Sequence, residues 1–371
     1  MKQKIRVALL FGGRSGEHPI SIVTAAGVLG AMDPEKYDVV PIGITKSGQW
    51  VVGSADLSAA ALTGATLPEV EATPGSGVLL SGASLQVLQP GSVPEQLGEV
   101  DVVFPVLHGP YGEDGTIQGL LELADVPYVG CGVLASAVGM DKEFMKLVFA
   151  GRGLPVGPYV VVRPRQWEQS RDDVLAQVAD LALPLFVKPA RGGSSLGVTR
   201  VDDLTDLADL EAAVAEAQKH DPKVIIEAGL EGREIECAVL GGRDGAAPRA
   251  SVPGEIVVDA AEGADFYDFE AKYVSGTQAR AEAPADLPAD VAEKVRQTAI
   301  AAFEAVDAEG LSRVDVFVSP AGDVVINEIN TLPGFTPISM YPKMWEATGL
   351  SYSDLIDELI QLALERPRGL R

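Results

Sequence analysis

Cysteine is almost missing from this chain of 371 residues: Cys131 and Cys237 stand in unrelated contexts, with no C-x-x-C pair. Their scarcity excludes a disulfide framework and a cysteine zinc site, and leaves two buried, reduced thiols as the expectation. Positive charge is also in short supply. The chain carries 29 Lys and Arg against 53 Asp and Glu, a formal charge of −24, which disfavours nucleic acid and anionic membranes as partners because both need a positive surface. In so acidic a chain, a Lys or Arg inside a glycine-rich loop is informative, since phosphates bound there must be neutralised locally. No apolar run reaches the roughly 20 residues of a membrane span. The opening MKQKIRVALLFGG has the basic start of a signal peptide, but its apolar run is short and ends in glycines instead of a cleavage site, so it reads as a first strand. These absences point to the cytoplasm.

What is there suits a soluble globular protein of two or three domains: 47% hydrophobic residues, and apolar runs alternating with helix-like stretches such as DVAEKVRQTAIAAFEAV (290–306). The class is α/β or α+β. A strand at 5–11 leads through a glycine turn into a helix that starts near Pro19, a residue suited to a first helical turn. The Ala/Gly/Ser/Pro-rich stretch 53–99 reads as loops with one or two hairpin strands and no functional role. A buried strand at 100–107 then passes through a polar, glycine-rich loop into a helix near Thr116, and a last helix covers 352–365. The division is 1–130, an N-terminal α/β layer of Rossmann type, then 131–227 and 228–371. No solenoid repeat is visible.

The polar residues of RVDVFVSPAGDVVINEIN (313–330) break an otherwise ordinary hairpin pattern. With the turn centred on Ala321-Gly322, Asp315 lies opposite Glu328 and Arg313 opposite Asn330, while Val314, Val316, Val318, Val325 and Ile329 share the other face. Facing carboxylates are destabilising. Either a hard divalent cation with oxygen ligands compensates them, or Arg313 neutralises a solvated polar face, and a turn one residue longer or shorter would break the pairing. FVKPARGGSSLGV (186–198) runs from a strand into Lys188, Arg191, glycines and serines whose backbone N–H and hydroxyl groups could close over phosphate. It is neither a P-loop nor a G-x-G-x-x-G fingerprint, and a glycine-rich turn without ligand would look similar; FGGRSG likewise lacks the dinucleotide spacing. KVIIEAGLEGREIECAVL (223–240) puts Glu227 at one strand end and Glu234 just inside the next, where they could accept from a purine amino group and ribose hydroxyls or be surface charges. FGGRSGEHPIS and LHGPYGEDGTIQG, with Glu17, His18, His108, Glu113 and Asp114, follow strands and precede helices, where ligands bind in open α/β sheets.

Together FGGRSGEHPIS, LHGPYGEDGTIQG, GMDK, VKPARGGSSLGV, FYDFEAKYVSG, SRVDVF and NEINTLPGFTPISMYP resemble, in order and over nearly the whole chain, the D-alanine:D-alanine ligases of the ATP-grasp superfamily. The resemblance implies three α/β domains, with ATP held between two antiparallel sheets of the central and C-terminal ones. By it, Lys142 and Lys188 contact ATP phosphates, the loop with Ser194 and Ser195 closes over them, and Glu227 and Glu234 hold adenine and ribose. Asp315, Glu328 and Asn330 carry two Mg²⁺ or Mn²⁺ ions. Glu17 anchors the first D-alanine's ammonium, which His108 borders. Ser194 and Tyr273 join Glu17 in a hydrogen-bonded group that holds a mobile loop shut, and Lys272 reaches the γ-phosphate. Arg313 and the Gly334 N–H stabilise charge on the acyl phosphate and tetrahedral intermediate, and Ser339 with the Met340 backbone receives the second substrate's carboxylate. The resemblance also implies a homodimer, and a role in cell-wall precursor synthesis. The competing readings are D-lactate or D-serine as second substrate, the former disfavoured by the YDFEAKY pattern around Tyr273, and a nucleotide-binding regulator without catalysis.

Overall fold

The computed structural model describes residues 4–53, 68–71, 77–88, 95–258 and 279–367. The chain opens with β1 (Ile5–Gly12), α1 (His18–Ala31), β2 (Tyr37–Ile44) and β3 (Trp50–Val52). In β1 the run Val7–Phe11 is buried throughout, as expected of a strand covered on both faces. It lies between β2 and β7 (Val102–Pro105), parallel to both, while β3 adds an antiparallel edge. Gly12 ends β1 with φ +88°, and a Cβ there would lie 2.3 Å from the Ile44 carbonyl oxygen. Only glycine permits this turn. Between β3 and β7 the structure differs from the expectation of one or two hairpin strands: β4 (Gly77–Ser81), β5 (Ser84–Leu88) and β6 (Glu95–Glu99) form a three-stranded antiparallel sheet. The Gly/Ser/Pro content of this stretch obscured the short runs GVLLS and SLQVL.

Three helices, α2 (Thr116–Leu123), α3 (Val133–Met140) and α4 (Lys142–Gly151), lead into a central unit. Its elements are β8 (Tyr159–Val162), α5 (Pro164–Gln169), α6 (Arg171–Ala179), β9 (Leu185–Pro189), β10 (Thr199–Val201), α7 (Ala208–Gln218) and β11 (Val224–Ala228). The strands form an antiparallel sheet in the order β10-β9-β11-β8, with α6 and α7 packed on one face through Val174, Val178, Leu210 and Val214. The last unit contains β12 (Arg233–Leu240), β13 (Arg249–Ala250), β14 (Gly254–Val258), β15 (Ala279–Glu282), α8 (Ala289–Ala305), β16 (Leu311–Val318), β17 (Val324–Asn330), α9 (Met340–Thr348) and α10 (Tyr352–Glu365). Its antiparallel sheet runs β15-β14-β12-β16-β17, with β13 on β12.

The hairpin of β16 and β17 delivers the predicted pairs, Arg313 with Asn330 and Asp315 with Glu328, by a different route. The turn is centred on Ala321, since Ser319 and Asp323 close it, so the strand ends pair one position tighter than expected. A bulge next to Asp315 inserts Asn327 and restores the register where the polar residues sit. The shift also moves Val325. It pairs with Phe317 and stays half-buried, whereas Val324 and Ile326 enter the core with Val314, Val316, Val318 and Ile329. The assignment of Val325 to the core face is therefore corrected.

One core joins the two ends of the chain. Val7, Leu9 and Phe104 of the first sheet pack with Leu240, Leu311, Phe335, Trp345, Leu355 and Leu359. Trp345 is among the largest fully buried side chains, at 1% exposure. Trp345→Ala is expected to lower unfolding free energy by about 3–5 kcal/mol, read as a shift in the denaturant midpoint; an unchanged midpoint would show that the core collapses around the deletion.

Candidate active site

The two antiparallel sheets line a cleft of about 540 Å³, a volume suited to a small-molecule ligand. Its wall includes Lys142, Lys188, Ser194, Ser195, Glu227, Glu234 and Glu328. Seven residues singled out along 187 positions of sequence thus meet in one place. The turn after β9 supplies Ser194 and Ser195, both at left-handed φ (52° and 56°), a conformation that costs a non-glycine residue energy and marks the loop as shaped by something other than local preference.

At the floor, Glu227 at the end of β11 takes Lys146 at 2.6 Å on one oxygen and Lys188 on the other. Glu227 is buried, which excludes the surface-charge reading. Burial opposes its ionisation, but the two lysines prevail and hold its carboxyl down at about 2. It is therefore an acceptor only. Burial likewise opposes charge on Lys188, yet Glu227 keeps that ammonium above its usual range, while burial wins at Lys146 and lowers it. Lys146 was missed by motif reasoning, although its i+4 spacing from Lys142 puts both on one face of α4. Lys142 donates to the Gly192 carbonyl at 2.8 Å and lies 3.3 Å from Glu328.

Beside this floor, Arg313 grips Asp315 with both arms of its guanidinium, Nε to Oδ1 at 2.7 Å and Nη2 to Oδ2 at 2.6 Å. Glu236 on β12, a residue the sequence reading did not flag, is 3.2 Å from Nε. Burial opposes the Arg313 charge, but Asp315 and then Glu236 hold it well above its usual range. Asn330 donates to Asp315 Oδ2 at 3.0 Å. Both sequence readings of the facing acids thus have a part here: protein cations neutralise them, and the set remains two carboxylates and an amide at adjoining strand ends. Among the described residues no group of three or more His, Cys, Asp or Glu is arranged to hold a metal. The donors of Asp315, Glu328 and Asn330 are all hard oxygens, and they fit Mg²⁺ or Mn²⁺ only where phosphate and water oxygens complete the shell.

From the cleft wall, Ser194 donates a short hydrogen bond to Glu17, the residue that precedes α1. The loop after β7 comes to the same point. His108 is buried, its Nδ1 is 3.2 Å from the Leu332 carbonyl, its Nε2 has no partner, and burial lowers its pKa. Glu113 turns back to accept from the Gly109 N–H at 2.8 Å. Burial, then the negative charge of Glu17, pushes the Glu113 carboxyl up to about 8, so near neutrality it is a neutral acid facing an anion. His18, the other flagged histidine, is structural: Nδ1 is 2.6 Å from the Gly13 carbonyl and Nε2 accepts from the Val70 N–H.

Ser339, at the start of α9, bonds Thr336 and sits over Gly334, where a Cβ would meet its Oγ at 3.3 Å. Met340 is buried beside it. Lys272 and Tyr273 lie outside the described residues.

The family described as D-ala D-ala ligase N-terminus matches residues 6–131, and that described as D-ala D-ala ligase C-terminus matches residues 148–361. A D-alanine–D-alanine ligase of Pseudarthrobacter chlorophenolicus is 60% identical over 373 residues, covering 100% of this chain and 97% of the relative. One from Streptomyces avermitilis is 58% identical, covering 100% and 96%. Among solved structures, the VanG D-Ala:D-Ser ligase of Enterococcus faecalis superposes with a TM-score of 0.80 at 34% identity, covering 97% of this chain and 100% of that one. The D-alanine-D-alanine ligase of Coxiella burnetii does so at 0.78 and 34%, covering 97% and 94%. The fold is therefore ATP-grasp.

The raised Glu113 carboxyl has a signed consequence. A group whose folded pKa exceeds its unfolded one contributes stability that is fully present below the unfolded value, 4.5 here, and lost as pH rises to about 8. Relative to Glu113→Gln, the unaltered protein should lose melting temperature between those pH values and run parallel to the variant above them; a constant difference from pH 4 to 9 would contradict this.

Proposed function

This chain belongs to the D-alanine–D-alanine ligase family, and we propose on that premise that it joins two D-alanine molecules at the expense of ATP through the residues assembled above. The observation that carries the assignment is the meeting of Lys142, Lys188, Glu227 and the Ser194 loop in one cleft, with Glu17 bonded to Ser194. That arrangement supports a phosphate site and an ammonium site side by side. The product serves cell-wall precursor synthesis.

In the reaction, the carboxylate of the first D-alanine attacks the γ-phosphorus of ATP, and ADP departs. The amine of the second, as the free base, then attacks the carbonyl carbon of the acyl phosphate, its nitrogen gives up a proton to solvent, and phosphate leaves with the C–O bond's electron pair. Phosphoryl transfer asks for little covalent work from a protein, so positioning and charge neutralisation dominate. Lys142 and Lys188 take phosphate oxygens, with Ser194 and Ser195 closing over them. Glu227 and Glu234 accept from adenine and ribose. Glu17 holds the first ammonium, with His108 beside it. Arg313 and the Gly334 N–H stabilise charge on the acyl phosphate and on the oxygen of the tetrahedral intermediate, and Ser339 with the Met340 N–H takes the second carboxylate. Lys272 and Tyr273 serve the γ-phosphate and the closed loop. Asp315, Glu328 and Asn330 would hold two Mg²⁺ or Mn²⁺ ions, whose contribution when bound is to neutralise the triphosphate. A closed loop keeps water from the acyl phosphate.

D-Serine as second substrate has one observation in its favour, the likeness to VanG. The 52–60% identities to relatives named D-alanine–D-alanine ligase favour D-alanine. We place the enzyme in the cytoplasm, a setting supported by the absence of any long apolar helix among the described residues. We also assign a homodimer. Its support is the family resemblance, and exposed apolar side chains such as Leu123 on α2 (90%) and Leu134 on α3 (60%) mark a surface to test.

Phosphate release from ATP should require D-alanine, fail with L-alanine, gain nothing specific from D-serine or D-lactate, and stop when EDTA removes divalent ions. Release with L-alanine but not D-alanine would overturn the substrate. Glu17→Gln should raise KM for the first D-alanine by roughly tenfold or more, the loss of one charge-assisted bond, and leave nucleotide affinity nearly unchanged; equal loss of both would contradict its role. Leu123→Glu with Leu134→Glu should convert the dimer to a monomer in sedimentation velocity, and an unchanged sedimentation coefficient would remove α2 and α3 from the interface.

A further inference from the structure

The segment His220–Lys223, between α7 and β11, touches neither the cleft nor its proposed ligands, yet it holds both elements that carry the phosphate-facing groups. Asp221 is buried and accepts three hydrogen bonds from Arg191 at the root of the serine loop: from the backbone N–H at 2.8 Å, Nε at 3.0 Å and Nη2 at 2.7 Å. Its Oδ1 also accepts from the Lys223 N–H at 3.0 Å. At the loop's far end, Gly197 lies against His220, where a Cβ would come 2.5 Å from the imidazole.

Lys223 works on the second element. Its ammonium, buried, bonds both oxygens of Asp141 at 2.7 and 2.5 Å and reaches Glu143 at 3.0 Å. Asp141 is the N-cap of α4, accepting from the Glu143 and Phe144 N–H groups. Lys142 is the first residue of that helix, and Lys146 stands one turn on. The backbone completes the link: Ala190 N–H donates to the Lys223 carbonyl and Lys142 N–H to the Ala190 carbonyl, both at 2.9 Å.

We propose that Asp221 and Lys223 are positioning residues for phosphate binding: Asp221 fixes the root of the serine loop, Lys223 fixes the N-terminus of α4, and together they set the spacing between Ser194 and Lys142. The three bonds to Asp221 include a bidentate guanidinium–carboxylate pair, the geometry that resists rotation as well as separation. Glu143 is also held by Arg163 at 2.6 Å, but the buried Asp141 has both oxygens on Lys223, so loss of Lys223 would leave the cap of α4 without that cation. This rests on the nucleotide-site reading and adds to it the part that orders the site before ligand arrives.

The test compares Mg·ADP with adenosine, which lacks phosphates, by titration calorimetry on the full chain. Asp221→Asn keeps the shape and removes the charge. It should weaken Mg·ADP roughly tenfold, as for loss of a charged hydrogen-bond partner, and leave adenosine within about twofold. Unchanged Mg·ADP affinity, or equal loss of both probes, would overturn the proposal. If Asp221→Asn does not fold, Arg191→Met removes the same contact from its half-exposed side and is judged by the same two affinities. Lys223→Met should raise KM for ATP and spare KM for D-alanine, with partial return in Lys223→Arg; a rise in both KM values without return would reduce Lys223 to a structural role. Failure of the unaltered protein to bind either probe would instead overturn the nucleotide reading on which this stands.

Discussion

Four cations, Lys142, Lys146, Lys188 and Arg313, and four carboxylates, Glu227, Glu236, Asp315 and Glu328, meet around the cleft as a set of ion pairs. An isolated charge at such depth would shed or take a proton instead of staying charged. The pairing is crossed in a consequential way. Groups suited to phosphate hold groups suited to a metal, Lys142 on Glu328 and Arg313 on Asp315. A triphosphate that drew Lys142 from Glu328 would weaken the neutralisation of that carboxylate, which Lys188 and Arg313 also act on.

Keeping this constellation in register falls to the fold. The hairpin aligns Asp315 with Glu328 only because the bulge at Asn327 corrects a turn that is one position tighter; without it the carboxylates would lose their partners, since a one-residue slip reverses every side chain. The first sheet and α9–α10 share a single core, so Glu17, which belongs to the first layer, is carried on the same packed body as Arg313 and Ser339. Burial of Trp345, Tyr341 and Phe335 thereby ties the position of Glu17 to that of Ser339.

The sequence showed much of this. Continuous apolar runs gave β1 and the strands around it, and polar interruptions marked the hairpin, the serine loop and the turn at Glu227. What it concealed had physical causes. The bulge leaves no clear compositional trace, because a single Asn within a strand run does not by itself separate a bulge from regular pairing. The sheet of β4–β6 is made of short runs among glycines and serines. Lys146 and Glu236 sit in helix- or strand-like stretches and Asp221 and Lys223 in a short connection, places where charges usually face water, and only the folded chain turns them inward against partners 30 to 82 positions away, as with Asp221 and Arg191 or Lys223 and Asp141.

The serine loop shows why these supports matter. Ser194 and Ser195 are both held at positive φ, where side chains other than glycine's are strained, of order 1 kcal/mol or more each. Local sequence would relax them. The opposing restraint comes from three sides: Glu17 accepts from Ser194, Lys142 binds the Gly192 carbonyl, and Asp221 binds Arg191. Each is charge-assisted, the kind of bond strong enough to offset such strain. Two of the three anchors, Glu17 and Lys142, are groups the reaction itself is proposed to engage. Substrate that recruits Glu17 or Lys142 must therefore replace the restraint it removes, which ties loop geometry to occupancy and leaves Asp221 as the one anchor that does not change hands.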